Sequence, residues 1–534
     1  MARRYHQYSK HDYYRSAPSP GFMDWSNQPD PFRRYEGAAL VALKKIELRE
    51  RPYYHEVLRP GHLPASPMNH ETISQLFFDS LAISAWKSFQ GSRWALRVNP
   101  SSGNLHPTEG HLICGPMPGI DEVPTVSHYT PQVHGLELRA TLSESAWNRL
   151  SEGYPEGVVF VGLSTIHWRE AWKYGLRAFR YCNHDMGHAL AAISLAAATL
   201  GWKTRLLDHL DAETLQTILA LDTERKGEAE IAECLIAVSP QDATALPTRA
   251  DFVEGFAGLE WQGQANQLSE EHIDWDGIGE VSNATRKTGD ADFAGNLQSR
   301  GSLARLICED TFSMREAMHQ RRSAVAMDGR TRISRDTFFQ FMQNVHPDVC
   351  PIPFNTMLWE PQIHLGVFVH RVDDLPPGLY FLLRNKDHLG DLKEKMKPGF
   401  DWERPEGCPP ELDFFRLEED NFQSPAASVS CGQDIAGQSC FSLGMFSAFE
   451  KATQNYSAAM YPRLYWECGA IGQVLYLQAE VSGVRSTGIG CFFDDPARAI
   501  FGLRDNSYQS LYHFTVGGAV DDSRLTTLPA YPES

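Results

Sequence analysis

The sequence lacks the cysteine pairs, long apolar runs and leader-like segments that mark several common protein classes. None of its 10 cysteines forms a Cys-x-x-Cys pair, so neither a zinc ribbon nor a thioredoxin-type site is predicted. The longest apolar run, residues 188–202, begins with histidine and is too short to cross a bilayer. The basic N-terminus is not followed by the apolar segment of a secretory signal, and we therefore expect a cytoplasmic protein.

A surplus of basic residues is also missing. With 49 Lys and Arg against 67 Asp and Glu, the formal net charge is −18. This charge argues against a nucleic-acid or anionic-membrane partner, because both require a basic surface. Apolar residues are plentiful, at 42% of the chain with 11% aromatic, and we expect a globular protein of roughly two to four domains.

Residues 97–109 form the most concentrated group of polar turn residues in the chain. Within them, the serine turn (residues 100–104) places Ser101, Ser102 and Asn104 around Gly103. Hydroxyl and amide groups beside a glycine allow the backbone to approach a flat heterocycle or a phosphate closely. The same composition is that of an ordinary turn, so this stretch alone leaves ligand binding and a plain turn both open.

The second half of the chain repeats the first at low identity. Four pairs lie 282 positions apart without a gap: Tyr174 and Tyr456, Asp185 and Glu467, Gly187 and Gly469, Gly201 and Gly483. Earlier pairs, such as Pro100 and Pro353, lie 253 positions apart, and a longer segment at 385–440 accounts for the difference. One fixed register over this length predicts an internal duplication.

The repeat predicts an α+β protein in which two fused domains form an intramolecular pseudo-dimer. The expected divisions are an aromatic-rich arm, a first domain, a polar linker and a second domain: 1–65, 66–245, 246–300 and 301–534. The second domain carries the insertion 385–440, for which a lid, a partner-docking surface and disorder without a role all remain open.

The two halves differ in a complementary way. The twin of the serine turn, residues 353–357, has Phe354 and Met357 in place of polar side chains. The second half instead has Arg321 after a predicted helix, the glycine segment (residues 487–492) and a late basic residue, Arg524. In a fused pseudo-dimer, one of two equivalent interface sites can decay while the other is assembled from both halves. We therefore expect one composite site.

These motifs together resemble the FMN-dependent nitroreductase superfamily and, within it, the SagB-type dehydrogenases, or thiazole/oxazole-forming oxidases. The resemblance extends over about residues 70 to 525. It implies an enzyme that binds one FMN between the two halves. The serine turn would face the flavin from the first half, and the Arg-x-Ser segment, the glycine segment and the late cation would face it from the second.

The resemblance also implies which residues hold the cofactor. They are Ser101, Ser102, Asn104, Arg321, Ser323, Gly490, Cys491 and Arg524. Arg321 and Ser323 would contact the ribityl-phosphate, and Arg524 is similar to the late phosphate-binding cation. The backbone amide of Gly490 or Cys491 would face flavin N5.

Lys173 and Tyr174 resemble a Lys-Tyr pair implicated in azoline oxidation in the SagB-type branch. The lysine could remove a proton while hydride goes to the flavin, provided that burial or a cation such as Arg177 keeps it uncharged. An exposed basic helix face is the open alternative. Two positions depart from the nitroreductase pattern: Val325 replaces a second basic residue, and His106 replaces a glutamine.

The implied activity is hydride transfer between FMN and an organic substrate, with oxidation of an azoline-containing peptide by oxygen as the first expectation. NAD(P)H-dependent reduction of a nitro compound, quinone or enone is the alternative enzyme. A flavin-free interaction module, suggested by Val325, is the alternative from another class. His184 and His188 have the spacing of a metal site, but Ala470 is the twin of His188, and contact between the halves is the prediction.

Overall fold

The computed structural model describes residues 1–222, 227–289, 293 and 311–531. It contains two large antiparallel sheets flanked by helices, which confirms the α+β class. In the described ranges, no helix combines the length and the apolarity that a membrane span requires.

The first half contains nine helices and eleven strands among the described residues. The helices are α1 (Ala2–Tyr8), α2 (Tyr54–Val57), α3 (His70–Phe78), α4 (Glu144–Ser151), α5 (His167–Tyr174), α6 (Ala178–Thr199), α7 (Ala212–Leu219), α8 (Arg249–Phe256) and α9 (Asp276–Thr285). The strands are β1 (Tyr35–Glu36), β2 (Ala39–Ala42), β3 (Ile83–Phe89), β4 (Ser92–Arg97), β5 (Thr108–Cys114), β6 (Thr125–Thr130), β7 (Gly135–Thr141), β8 (Val159–Ile166), β9 (Lys203–Leu206), β10 (Glu230–Ser239) and β11 (Gln264–Ala265).

The second half has the same kinds of element. Its helices are α10 (Met314–Gln320), α11 (Arg335–Asn344), α12 (Leu389–Lys395), α13 (Gln423–Val429), α14 (Ile435–Gln438), α15 (Phe449–Tyr456), α16 (Met460–Val481) and α17 (Asp494–Ile500). Its strands are β12 (Ile363–Val369), β13 (Gly378–Leu383), β14 (Asp413–Glu419), β15 (Phe441–Ser447), β16 (Arg485–Ile489), β17 (Gln509–Gly517) and β18 (Thr526–Leu528).

The two large sheets have the same strand order. The first runs β2-β7-β6-β5-β8-β10-β9 and the second runs β14-β13-β12-β15-β17-β16. Apart from the edge strand β2, each strand of the first sheet has a counterpart at the same place in the second. The fold is therefore two domains of one topology in a single chain, as the sequence predicted.

The domains meet along the two long central helices, α6 and α16. A Cβ built on Gly187 would lie 2.1 Å from the Trp466 carbonyl oxygen, and one built on Gly469 would lie 2.2 Å from the His184 carbonyl oxygen. These two glycines are an equivalent pair of the repeat, so equivalent residues meet where the helices cross. Such a meeting is what a pseudo-two-fold axis produces.

The chain termini join the domains further. Strand β18, from the end of the second domain, pairs with β3 of the first through Thr526 opposite Ser88 and Leu528 opposite Trp86. The Tyr531 hydroxyl donates to the Pro131 carbonyl at 2.7 Å. At the other terminus, His6 in α1 lies 3.1 Å from Gln509 of β17.

Two segments that lack clear periodicity in the sequence contain regular structure. The described part of the predicted linker contains α8, β11 and α9, and Phe252 of α8 packs on Phe160 of β8. Residues 290–292 and 294–300 of that linker lie outside the described residues. In the insertion, β14 extends the second sheet beside β13. The proposed domain boundaries themselves stay a prediction.

Candidate functional site

A cleft of about 730 Å³ lies between the two domains, within the usual size range of small-molecule sites. Ser101 and Asn104 line it from the first domain, and Arg321 and Ser323 line it from the second. Four of the predicted cofactor residues thus face one cavity. They form two pairs that are more than 200 positions apart in sequence.

The second-domain wall is formed where α10 ends and the chain turns along β16. Ser323 and Ser486 form an isolated parallel β-bridge, and the Ala324 amide donates a hydrogen bond to the Ser486 carbonyl at 3.0 Å. The Ser323 and Tyr476 hydroxyls lie 2.8 Å apart, and the Gly488 amide donates to the Tyr476 hydroxyl at 3.1 Å. These bonds fix residues 321–324 against the glycine segment.

Arg321 connects this wall to the first domain. Its Nη2 donates to the Arg97 carbonyl oxygen at 2.8 Å, and its guanidinium lies 4.8 Å from the centre of the Tyr476 ring. Burial lowers the pKa of Arg321 from its ordinary value. Its Nε has no hydrogen-bond partner among the described residues, so one buried donor remains available to a ligand.

Three further cations line the cleft: Lys87, Arg322 and Arg485. Burial, followed by the positive charges of Arg322 and Arg485, lowers the pKa of Lys87, so the three cations lie close enough to repel one another. Burial and Arg321 likewise lower the pKa of Arg322 to about 10. None of these three cations was predicted as a cofactor-binding residue. Lys87 and Arg485 belong to no motif that can be recognised in the sequence.

Arg524 does not line the cleft. Its guanidinium donates to both carboxylate oxygens of Asp522, at 2.9 and 2.7 Å, and its side chain is 73% exposed. Its neighbours Ser523 and Leu525 do line the cavity, so Arg524 lies at the edge of the site with its charge paired.

Lys173 and Tyr174 lie against the serine turn. Gly103 has φ +61°, and a Cβ built on it would lie 2.7 Å from the Tyr174 hydroxyl and 3.0 Å from Lys173 Nζ. The left-handed backbone favours a glycine here, and a side chain at this position would displace the ends of Lys173 and Tyr174. Tyr174 also packs on Tyr181, with ring centres 4.6 Å apart, and Tyr181 in turn contacts Gly490.

Arg177, proposed as a cation that would act on Lys173, has other partners. Its Nη1 pairs with Asp494 at 3.0 Å, and its Nη2 donates to the Gly490 carbonyl at 3.1 Å. Although burial alone would raise the pKa of Asp494, Arg177 and Arg180 hold it well below its usual range. Arg177 thus holds the glycine segment in place, and it shares the carboxylate of Asp494 with Arg180.

Two buried acids beneath the serine turn were not predicted as site residues. Asp185 accepts hydrogen bonds from the Ser102 amide at 3.1 Å and from the Ser102 hydroxyl at 3.2 Å. Burial raises the pKa of Asp185 to about 7. Burial and then Asp185 raise the pKa of Glu170 well above its ordinary value, although the Ser101 hydroxyl opposes the shift. The only sequence signal was the match of Asp185 with Glu467.

Cys491 follows Gly490 and forms a disulfide with Cys431 of the insertion. The Gln433 side chain donates to the Cys491 carbonyl at 3.2 Å, so the insertion is bonded to the glycine segment twice. The free cysteines at 114, 182, 234, 350, 440 and 468 are buried, as expected for small core residues.

The two histidines spaced like a metal site reach the second domain. His184 Nε2 lies 3.0 Å from the Leu511 carbonyl oxygen, and His188 Nδ1 lies 3.3 Å from the Gln473 side-chain oxygen. Across the described ranges, no group of three or more His, Cys, Asp or Glu side chains could hold a metal ion.

The twin of the serine turn is packed into the protein. Phe354 and Met357 are buried, and the Thr356 hydroxyl lies 2.5 Å from that of Thr204 and 2.9 Å from that of Ser194. The cavity beside it has a volume of about 330 Å³, less than half that of the first cleft. The polar set and the larger cavity thus occur together on one side of the pseudo-dimer.

No protein-family model matches this chain, and no curated protein matches it. Among solved structures, a candidate nitroreductase from Anabaena variabilis is 19% identical with a TM-score of 0.68, over 97% of this chain and 99% of that one. The chain therefore shares a nitroreductase fold over nearly its whole length.

Shorter structures match about half of the chain. A candidate nitroreductase from Ralstonia eutropha is 14% identical over 42% of this chain and 98% of that one, with a TM-score of 0.29. The Escherichia coli microcin synthetase McbBCD complex with truncated pro-MccB17 bound is 18% identical over 45% of this chain and 82% of that one, with a TM-score of 0.26.

Proposed function

We propose that this protein is an FMN-dependent oxidoreductase that transfers hydride between one flavin and an organic substrate. The observation that carries the proposal is the cleft of about 730 Å³ between the domains, which is lined by several cations and by the serine turn, against which Lys173 and Tyr174 lie. A flavin nucleotide needs fixed cations for its phosphate and hydrogen-bond donors around its ring.

The donor set of the cleft fits such a cofactor. Arg321 lines the cleft and has a buried Nε without a hydrogen-bond partner among the described residues. Lys87 and Arg322 would hold the phosphate, and they supply the positive charge that Val325 does not. Arg485 also lines the cleft, but its charge is paired with Asp521, as that of Arg524 is with Asp522. Arg524 would contact the phosphate only if its ion pair with Asp522 broke. We therefore expect it to contribute less to phosphate binding than the cations that line the cleft.

Around the ring, we assign Ser101, Ser102 and Asn104 to one wall. Asp185 holds Ser102 in place, and Arg177 holds the carbonyl of Gly490, which leaves the amide of Gly490 or Cys491 for the flavin. When bound, FMN supplies the hydride chemistry. The chain positions the substrate and moves the proton that accompanies the hydride, for which Lys173 is the candidate beside Tyr174.

For the substrate, we propose an azoline-containing peptide that is oxidised to an azole, with oxygen as the acceptor. This choice rests on the Lys-Tyr pair and its contact with the serine turn. Reduction of a nitro compound, quinone or enone by NAD(P)H uses the same cleft and is the second candidate, because the cleft is open to solvent on the side lined by Val325, which is 67% exposed.

The visible absorption spectrum of the purified protein tests the flavin. After addition of FMN, the flavin bands should persist through gel filtration. If they are absent, a flavin-free interaction module becomes the better interpretation of this protein. Turnover with an azoline peptide under oxygen is then compared with NADPH-dependent turnover of nitro, quinone and enone acceptors. Lys173→Ala should keep FMN and lose roughly a hundredfold or more in turnover; full activity in that variant contradicts its role.

A further inference from the structure

One face of α5 carries three ionisable groups toward the serine turn. Glu170, Lys173 and Tyr174 are spaced i, i+3 and i+4, which places them on one side of the helix. Lys173 and Tyr174 end against Gly103, as described above. Glu170 lies deeper and is fully buried.

Neither carboxylate oxygen of Glu170 has a hydrogen bond of normal geometry within the described part of the chain. The one donor that acts on Glu170 is the Ser101 hydroxyl of the serine turn, which lowers its pKa by less than burial raises it. An unpaired buried acid costs free energy, so such a residue calls for a reason other than packing. The titratable groups that shift the pKa of Glu170 are Lys173 on its own helix and Asp185 on α6. The charge of Glu170 in turn raises the pKa values of Tyr174 and Cys182.

The other domain shows that the fold does not require an acid here. The twin of Glu170 is Ala452, which is 1% exposed in α15, and the twin of Lys173 is Asn455. Both ionisable groups are thus missing from the half whose twin turn is apolar. Glu170 and Lys173 occur together with the polar serine turn and the larger cleft, which associates the acid with the site.

We propose that Glu170 is a positioning residue that exchanges a proton with Nζ of Lys173 during the reaction. The inference rests on the proposed function. In the direction that reduces the substrate, the substrate accepts hydride from the flavin, which is oxidised, and takes a proton from Nζ as that N–H bond breaks. The O–H bond of Glu170 then breaks as the N–H bond forms again.

Glu170 regains its proton through Lys173 after the product has left, since Lys173 is the partly exposed member of the pair. In the oxidising direction, the free amine of Lys173 takes the proton from the substrate, and Lys173 can pass a proton to Glu170 only where Glu170 is ionised. Because burial keeps Glu170 protonated near neutral pH, a proton is available while bound substrate covers Lys173.

The test compares Glu170→Gln with Glu233→Gln. Glu233 is a matched control, because burial raises its pKa to about 8, and it lies in β10, where Arg463 and then Arg286 oppose that shift. The first measurement is the pH dependence of Lys173 modification by an amine-reactive reagent, followed by mass spectrometry. Removal of the Glu170 carboxyl should let modification begin at lower pH, because no carboxylate then forms beside the ammonium, and Glu233→Gln should match the wild type.

The second measurement is stopped-flow reoxidation of dithionite-reduced flavin by cyclohexenone or menadione as a function of pH. Glu170→Gln should be about 10- to 100-fold slower near neutral pH, with a pH profile unlike that of the wild type. Unchanged Lys173 modification, or equal losses in both variants, would overturn the proposal. Glu170→Ala, which copies the twin residue, serves if the glutamine variant does not fold. A wild-type protein without FMN would instead refute the proposed function, while the modification experiment still tests the pairing.

Discussion

The cations in and beside the cleft differ in whether an acidic side chain already pairs with them. Arg322 is largely buried beside Arg321 and Lys87, whereas Arg524 is exposed and paired with Asp522. We therefore predict that Arg322→Gln weakens FMN binding about 10- to 150-fold, since a charge-assisted hydrogen bond contributes roughly 1.5–3 kcal/mol. Fluorescence titration with FMN measures this, and Arg524→Gln should change the dissociation constant less than about twofold. The reverse order would restore Arg524 as the main phosphate cation.

Asp185 gives a pH-dependent stability with a definite sign. Because its pKa is about 7 in the folded protein, above the ordinary value of 3.8, it stabilises the fold fully at low pH and loses that contribution as pH rises toward 7. The largest possible change is about 4 kcal/mol. Asp185→Asn should therefore gain stability relative to the wild type between pH 4.5 and 7.5, as denaturant unfolding at both values would show. A constant difference between the two proteins would mean that Asp185 is ionised normally.

At the scale of elements, the crossing of α6 and α16 depends on two glycines. A methyl group on Gly187 would enter the Trp466 backbone, which cannot move aside as a side-chain end could. Gly187→Ala should therefore cost about 2–4 kcal/mol of unfolding free energy. Gly279→Ala, inside α9 with open space around it, should instead gain up to about 1 kcal/mol. Both values come from denaturant unfolding, and a neutral Gly187→Ala would mean that the helices are further apart than described.

The elements also show what the sequence could and could not predict. The repeat register predicted that Gly187 and Gly469 are equivalent, and the helix crossing follows from it. The serine turn and the Arg321 segment, which line the cleft, each carry a local motif that is visible in the sequence. Lys87 and Glu170 were missed, because a lone lysine in β3 and a lone glutamate in α5 become part of a site only through contacts between remote segments. Hydrophobic periodicity does not reveal such contacts.

The molecule as a whole forms its cleft only when both domains are present. Ser101 and Asn104 come from one domain, Arg321 and Arg322 come from the other, and Arg321 donates across the boundary to Arg97. Strand β18 adds a second link, because it belongs to the end of the chain yet completes the sheet of β3 and β4. Neither half alone contains the full lining of the cleft.

We therefore predict that the chain can be divided between residues 300 and 301 into two co-expressed pieces that bind FMN only together. The apolar faces of α6 and α16 bury each other in the intact protein, so the pieces should associate. Co-purification through a tag on one piece, with flavin absorbance in the complex, measures this. A pair carrying Gly187→Ala should associate more weakly, whereas Gly279→Ala should not. Flavin binding by the first piece alone would contradict a site that needs Arg321 and Arg322.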